Sequence, residues 1–472
     1  MKINKLLKLA GYDEVCFNHE VSMITSDSRS CKLNSVFIAI KGNNNDGNDY
    51  ILEALTKGAR TIISNNKTNL GINNIIVDNP KKVLADLLYL FNKNKYKRLK
   101  KIGVIGTNGK TSTSTILNGF LNTISKSMLI GSNGCFYLDK LIKHDNTTPN
   151  INTIYNYFDI AIKNKIKYIV MEISSIAVIE NRVHNIDFDY LIFTNFSLDH
   201  LDYHQSLDEY FRAKSILFYS LKRKAYAIIN KDDSKYEKIT NNIRCKTKEF
   251  SLYKSSKYQI TDIDTIGDMI EFKCLNRVFR TNLIGEFNLY NLLPTIVMAD
   301  ILKLSFDLLF KYLYQVPVIA GRVNIYEHKN RKVIIDYAHT PKALEEIIKL
   351  GINISKGDTI VVVGCGGDRD KSKRSVVGEI LSSYNVIPII TSDNPRGENP
   401  YDIINDITKN ISKEYVAIED RKEAINHALR TSHEGDAILI LGKGEEEFTI
   451  IGDEKIYGSD SEILKEYILN DN

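Results

Sequence analysis

Lys110 and Thr111 close a Gly106-Thr-Asn-Gly-Lys-Thr111 run whose residue types suit an ATP-phosphate cradle. Glycines at 103, 106 and 109 let backbone N–H groups approach phosphate oxygens, and a helix starting after them adds positive potential. In such a loop the lysine reaches the β- and γ-phosphates and the threonine hydroxyl ligates Mg²⁺. The general G-x-x-x-x-G-K-[ST] pattern asks for glycine at 104, where this chain has valine, so the loop is a compact variant. Oxygen ligands beyond the threonine are on offer in Glu172 and in Asp199-His200-Leu-Asp202-Tyr-His204, each following an apolar run. Alone, such a Glu or His reads as structural; beside a phosphate loop the balance reverses. Lys214, in the amphipathic stretch Tyr210–Phe218, reads on base rates as a surface or snorkelling lysine. A second chemistry lies downstream in Gly364-Cys-Gly-Gly-Asp-Arg-Asp370, Asp393-Asn-Pro-Arg396 and Gly442-Lys-Gly-Glu-Glu446. Each is a turn by itself. Together, Arg369 and Arg396 can fix carboxylates, while Asp393, Asn394 and Glu446 can hold ammonium groups. That pairing suits an amino acid with extra charge at its far end.

These groups must stand at strand ends, because ligands of open α/β sheets collect outside the carboxyl ends of the strands. The chain alternates accordingly. Residues 1–97 mix short strands (Ser35–Ile40, Arg60–Ser64) with helices (Tyr50–Lys57, Val83–Phe91). Residues 98–319 open with the strand Ile102–Ile105 and continue through Tyr168–Glu172, Tyr190–Thr194 and Ala225–Asn230, which predicts a largely parallel sheet covered on both faces. Residues 245–284 read as an antiparallel appendage. Residues 320–472 carry strands at Val333–Asp336, Thr359–Val363, Val386–Ile390 and Ala437–Leu441, the pattern of a doubly wound α/β unit.

A length of 472 residues fits about three domains. The net charge of +5 is small for this size and gives no case for nucleic acid. Lys93, Lys95, Lys97, Arg98, Lys100 and Lys101 form the one basic run, which reads as a solvated linker. Six cysteines without a C-x-x-C pair indicate neither a zinc site nor a disulfide framework. No apolar stretch approaches 18 residues and no signal segment is expected, so the chain reads as a soluble, cytoplasmic protein.

The ordered set of motifs resembles the Mur ligases of bacterial cell-wall synthesis, most closely the branch that adds the third residue of the peptide. The resemblance spans nearly the whole chain. It rests on Asp27-Ser-Arg29, Lys41-Gly42 with Asp46-Gly47, the phosphate loop, Asn146-Thr-Thr-Pro149, Met171-Glu-Ile-Ser-Ser175 and Phe193-Thr-Asn195. It continues through Asp199–His204, Phe287-Asn-Leu-Tyr-Asn291, Gly321-Arg322, Asp336-Tyr-Ala-His-Thr-Pro341 and the three downstream turns.

The resemblance implies α/β architecture in three domains: a small mixed α/β UDP-sugar-binding domain (1–97), a central P-loop ATPase-like domain (98–319) and a Rossmann-like domain for the incoming amino acid (320–472). It implies amide formation on UDP-N-acetylmuramoyl-L-alanyl-D-glutamate through an acyl phosphate, with ATP as substrate and Mg²⁺ as cofactor. By that resemblance Gly106, Thr107, Asn108, Gly109, Lys110, Thr111, Ser112, Asn288, Arg322 and Asp336 bind ATP. Thr111, Glu172, His200 and Lys214 are metal-side residues, Lys214 as a CO₂-derived carbamate, and Lys110, Lys214, His200 and Glu172 are catalytic. Ser28, Asn43, Thr147, Thr148, Ser174 and Arg182 hold the UDP-sugar substrate. Arg369, Asp393, Asn394, Arg396, Gly442 and Glu446 read the amino acid, and Asp-Asn-Pro-Arg points to meso-diaminopimelate, whose second carboxylate an arginine can hold. A monomer without membrane insertion is expected.

Four positions depart from the family pattern: Ile176, Glu180, Asn324 and Glu445 stand for histidine, glutamine, glutamate and histidine. The acidic Glu445-Glu446-Glu447 run keeps L-lysine or another diamino acid open as substrate, although a solvated turn is the plainer reading. A non-catalytic nucleotide-binding homologue is disfavoured by the presence of every phosphate-loop position and of Lys214. Folylpolyglutamate synthetase shares the loop style but lacks the Asp27-Ser-Arg29 and Asp-Asn-Pro-Arg features.

Overall fold

The computed structural model describes residues 1–42, 45–67 and 71–471. Three parallel-stranded sheets organise the chain. The first has four strands in sequence order, Met23–Thr25, Ser35–Ile38, Ala59–Ser64 and Asn73–Ile76. Helix Pro80–Asn92 packs beside helix Ile3–Ala10 through Leu84, Leu87 and Leu88 against Leu6 and Leu7. Asn79 caps its start, its side chain accepting the Lys82 N–H, with proline in the first turn where no donor is wasted.

The central sheet has nine strands. Lys100–Ile105 lies at its middle, flanked by Tyr168–Ile173 on one side and Tyr190–Phe193 on the other, all parallel. Connections leaving in both directions from one strand open a crevice at its carboxyl end. That is where residues 106–109 emerge. Side chains of these strands are buried on both faces, which accounts for their unbroken apolar runs. The third sheet runs Asn324–His328, Arg331–Asp336, Ala437–Leu441, Thr359–Val363, Ile387–Ile390, Val416–Ala417 in spatial order. Its parallel strands end together at Asp336, Val363, Ile390 and Leu441.

Two expectations need correction. Residues 245–284 are not one antiparallel appendage: Lys246–Ser251 and Tyr258–Gln259 extend the central sheet in parallel, and only Thr261–Ile266, Met269–Cys274 and Arg277–Thr281 form an antiparallel sheet. The basic run is solvated only in part: Lys93, Lys95, Lys97 and Arg98 are exposed, but the segment itself is anchored. Tyr96 and Leu99 are buried, Tyr96 lying edge-on to Tyr155 and Phe158 of helix Ile151–Lys163, and Lys101 is buried with its ammonium 3.4 Å from the carbonyls of Tyr96 and Leu99. Two apolar side chains spaced through the run suffice to pin it down. Among the described residues no helix is long and apolar enough to cross a membrane.

Candidate active site

Gly109 adopts φ +81°, the left-handed conformation that favours glycine, and so turns the chain into helix Lys110–Asn122. A Cβ there would collide with the Asn291 side chain. Asn291 in turn donates to Asn288 Oδ1 at 2.9 Å, which places Asn288 just behind the loop. The Lys110 ammonium bends back onto the carbonyls of Gly106 (3.0 Å) and Thr107 (2.8 Å). Thr107 and Ser112 are buried beside it, and Asn108 accepts from Thr340 of the third sheet's unit at 3.1 Å.

The Thr111 hydroxyl donates to Glu172 Oε2 at 2.8 Å and accepts from Arg322 Nη2 at 3.3 Å. A hydroxyl has one proton and two lone pairs, so one lone pair stays free for a metal. Glu172 is only 1% exposed, and its carboxylate also accepts the Ser132 N–H and hydroxyl, both at 3.1 Å. Among the described residues no three His, Cys, Asp or Glu side chains gather as a metal cage. A single buried carboxylate beside a hydroxyl instead fits the few protein ligands that a Mg²⁺ shared with phosphate oxygens needs. Asp336 is buried and accepts the Val323 N–H at 2.8 Å; burial pushes its carboxyl up against the pull of Arg322.

Lys214 is 1% exposed, on helix Leu207–Tyr219, and donates to the Gly106 carbonyl at 2.7 Å, the same oxygen that Lys110 uses. Burial, then the neighbouring Lys110, holds its ammonium well below the usual lysine range. The surface reading of this residue from base rates is therefore wrong. His200 sits at φ +56° with its ring 3.4 Å from Asp199, and burial drives it down to about 4 despite that carboxylate. It is a neutral imidazole at physiological pH. Asp199 also faces His339 of the third sheet's unit at 3.8 Å; despite its burial, those two imidazoles and Lys373 hold its carboxyl far below the usual range.

Thr148 Oγ1 donates to the Glu172 carbonyl at 2.9 Å and accepts the Ser174 N–H at 3.0 Å; Thr147 reaches Ser132 at 3.1 Å. Ser174 also caps helix Ser175–Ile179. Arg182 donates to the Thr148 carbonyl (2.9 Å) and, through two nitrogens, to Glu180, which Lys81 of the first unit meets at 3.2 Å. Four of the six residues expected to hold the sugar-linked substrate are thus tied to Glu172 directly or through one intervening residue. Ser28 is in the first unit, where its hydroxyl donates to Glu53 at 2.5 Å. Asn43 lies outside the described residues. Asn324, one of the departures, ties the Gly321 turn by accepting the Gly321 N–H (2.6 Å) and donating to Ile319 (3.0 Å).

One cavity joins the two larger units. Asp199, His200 and Asp202 line one side, and Arg369, Asp393, Asn394, Arg396, Gly442 and Glu446 line the other. Arg369 meets Asp202 at 3.4 Å across it. Asn394 donates to Asp393 (3.0 Å) and Glu446 (2.8 Å), and Tyr337 donates to Glu446 at 3.0 Å. Burial and the charge of Asp393 push the Glu446 carboxyl up. Arg396 stands at φ +50° and rests on the carbonyls of Gly367 (2.8 Å) and Asn394 (3.3 Å). Of the three successive glutamates only Glu446 lines the cavity: Glu445 accepts from Ser461, and Glu447 pairs with Lys143 of the central unit at 2.9 Å. The sequence reading assigned no role to Ser132, Asn291, Tyr337 or His339. Asn291, Tyr337 and His339 lie inside motifs it quoted, whereas the signal for Ser132 is only that it follows a strand end.

Three family descriptions match the chain: "Mur ligase family, catalytic domain" over residues 20–99, "Mur ligase middle domain" over 104–299 and "Mur ligase, glutamate ligase domain" over 321–444. A UDP-N-acetylmuramoyl-L-alanyl-D-glutamate--2,6-diaminopimelate ligase 1 of Clostridium acetobutylicum is 36% identical, with 99% of each chain covered. A solved structure of an enzyme of that name superposes with a TM-score of 0.69 at 26% identity, covering 100% of this chain and 99% of the other. The folylpolyglutamate synthase of Mycobacterium tuberculosis shares the fold at 14% identity and a TM-score of 0.63, but that match covers 76% of this chain.

Proposed function

Because the chain belongs to the Mur ligase family, we propose that it is the ADP-forming ligase that joins meso-diaminopimelate to UDP-N-acetylmuramoyl-L-alanyl-D-glutamate in peptidoglycan precursor synthesis. The observation that carries the reading is the shared cavity. It sets Asp199 and His200, neighbours of the phosphate loop, opposite Asp393, Asn394, Arg396 and Glu446. A carboxylate activated at the first wall would therefore meet an amine held at the second.

The units proposed for these tasks are residues 1–97 for the UDP-sugar, 98–319 for ATP and 320–472 for the amino acid. The ATP γ-phosphoryl passes to the D-glutamate γ-carboxylate, giving an acyl phosphate. The amine then attacks the acyl carbon, phosphate leaves with the C–O bond electrons, and the nitrogen sheds a proton. Lys110 neutralises the transferring phosphoryl, which needs positioning and charge balance above all. Thr111 and Glu172 would hold Mg²⁺, which supplies further neutralisation of phosphate charge. His200, uncharged, adds no positive charge beside that site. Lys214 is proposed to carry a carbamate: its neutral nitrogen attacks CO₂, a proton leaves, and a repelling cation becomes an oxygen donor. The Arg396 guanidinium holds the second carboxylate of diaminopimelate and would oppose the ammonium of lysine. With Glu445 and Glu447 turned to other partners, the acidic run adds no extra pull for a more cationic substrate. The protein would act in the cytoplasm, as a monomer, on soluble substrates.

The test is ADP release with ATP, Mg²⁺ and the UDP-dipeptide, comparing meso-diaminopimelate, L-lysine, L-ornithine and lanthionine. Diaminopimelate should give the highest kcat/KM; faster turnover with L-lysine would sink the reading.

A further inference from the structure

Lys373 has no task in the reading above, yet it lies in the amino-acid cavity. It falls in the first turn of helix Ser372–Ser383, is 6% exposed, and lines the cavity with Asp199, Asp393 and Arg396. Its basic neighbours are all engaged. Lys371 pairs with Glu398 at 2.9 Å, Arg374 with Glu398 (2.9 Å) and Asp406 (3.1 Å), and Arg369 with Asp202 at 3.4 Å. Arg396 rests on two carbonyls. Among the described residues, no hydrogen bond or ion pair engages the Lys373 ammonium. Its side chain lines the cavity, and its nitrogen keeps some open surface. Asp199 feels its charge but has His200 and His339 closer at hand. A buried cation without a partner costs stability and persists where a ligand supplies the missing anion.

Resting on the ligase reading, we propose that Lys373 binds the carboxylate next to the reacting amine of the incoming amino acid, while Arg396 takes the distant one. A substrate with two carboxylates needs two cations; Arg369, expected from the sequence to share that task, is held by Asp202 at 3.4 Å, which leaves Lys373 as the cavity cation without a partner. Every α-amino acid carries the carboxylate that Lys373 would bind, whereas the one assigned to Arg396 is peculiar to diaminopimelate. The two residues therefore separate affinity for any amino acid from choice among them.

The test uses the full chain with Lys373→Met, Lys373→Arg and Arg396→Ala, measuring KM for each substrate by ADP release together with Tm. Lys373→Met should raise KM for diaminopimelate by about 10- to 150-fold, the scale of one hydrogen bond to a charged group. The same factor is expected for L-lysine used as a slow substrate, and Lys373→Arg should recover most of it. Arg396→Ala should penalise diaminopimelate alone. KM for ATP and for the UDP-dipeptide should stay within about twofold, and Tm of Lys373→Met should hold or rise, because an uncompensated buried charge has gone. An unchanged amino-acid KM overturns the assignment. So does a lowered Tm with all three KM values raised together, which marks a structural lysine, or a rise confined to ATP or the UDP-dipeptide, which marks a phosphate or γ-carboxylate partner. If the unaltered protein turns over no diamino acid, the ligase reading falls first and this one with it.

Discussion

Glu172→Gln separates the metal role of that side chain from its structural one. The carboxylate accepts three hydrogen bonds, one from the Ser132 N–H to Oε1 and two from the Thr111 and Ser132 hydroxyls to Oε2. A glutamine can keep its oxygen toward the backbone N–H and turn its NH₂ toward the two hydroxyls, each of which can accept instead of donate. The Ser132 proton can then turn to Thr147 Oγ1, 3.1 Å away, but the Thr111 proton loses its acceptor, so stability should fall by about 1–2 kcal/mol. The lost charge is another matter. A unit charge about 4 Å from another is worth about 4 kcal/mol at an effective dielectric near 20, roughly a thousandfold in an equilibrium or rate constant. ADP release should therefore fall by about 10³ at fixed Mg²⁺, partly regained as Mg²⁺ is raised, while the urea midpoint drops only slightly. Turnover within tenfold of the unaltered enzyme at every Mg²⁺ concentration would refute the assignment of Glu172 to the metal. A collapsed midpoint would show that the hydrogen bonds, not the charge, are what the site needs.

Two further outcomes probe the amino-acid wall. Gly442 stands at φ +112°, and a Cβ there would lie 2.7 Å from Asp393 Oδ2. Gly442→Ala should cost about 1–3 kcal/mol in backbone strain, displace the Asp393 carboxylate, and raise the amino-acid KM while leaving that for ATP unchanged, as read by thermal melts and initial rates. Glu446→Gln removes a carboxyl whose folded-state pKa burial and Asp393 have raised. A raised carboxyl weakens the fold as pH climbs through the unfolded and then the folded pKa. Melts across pH should therefore show the glutamine protein matching the original in acid and surpassing it at and above neutral pH, and a gap that opens in acid instead would reverse the sign.

The parts of the site that could be read from the chain are those in which local pattern and function coincide. The phosphate loop needs small residues for backbone reasons, and it follows an apolar strand, so both signals fall on 102–111. The turns at 364–370, 393–396 and 442–446 end parallel strands buried on both faces, whose apolar runs are conspicuous. Lys214 could not be read this way, because burial of a lysine depends on Gly106, 108 residues earlier, supplying an acceptor. Nor could Lys81–Glu180–Arg182, which joins two units, or Ser132, whose only distinction is where its strand stops. Edge strands were the other gap. Asn324–His328 alternates weakly and has one neighbour, so its burial leaves little imprint on the sequence.

The electrostatics around the Gly106 carbonyl bear on which of two adjacent lysines would carry the proposed carbamate. Lys110 and Lys214 both donate to that oxygen, at 3.0 and 2.7 Å, so their nitrogens lie within about 6 Å of each other. At that separation two unit charges repel by about 3 kcal/mol at an effective dielectric near 20, on top of the burial that disfavours each. One proton should go, and the surroundings decide which. Glu172 and Asp199 both favour the charged form of Lys110, whereas Asp199 alone favours that of Lys214. Burial and surroundings therefore weigh more heavily against the ammonium form of Lys214 than of Lys110. Conversion to the proposed carbamate would replace a repulsive pair with an attractive one, a negative group beside the Lys110 ammonium. The same rearrangement would place oxygen where a dication could be bound, and the Lys110 ammonium and that dication, not burial, would stabilise the proposed carbamate.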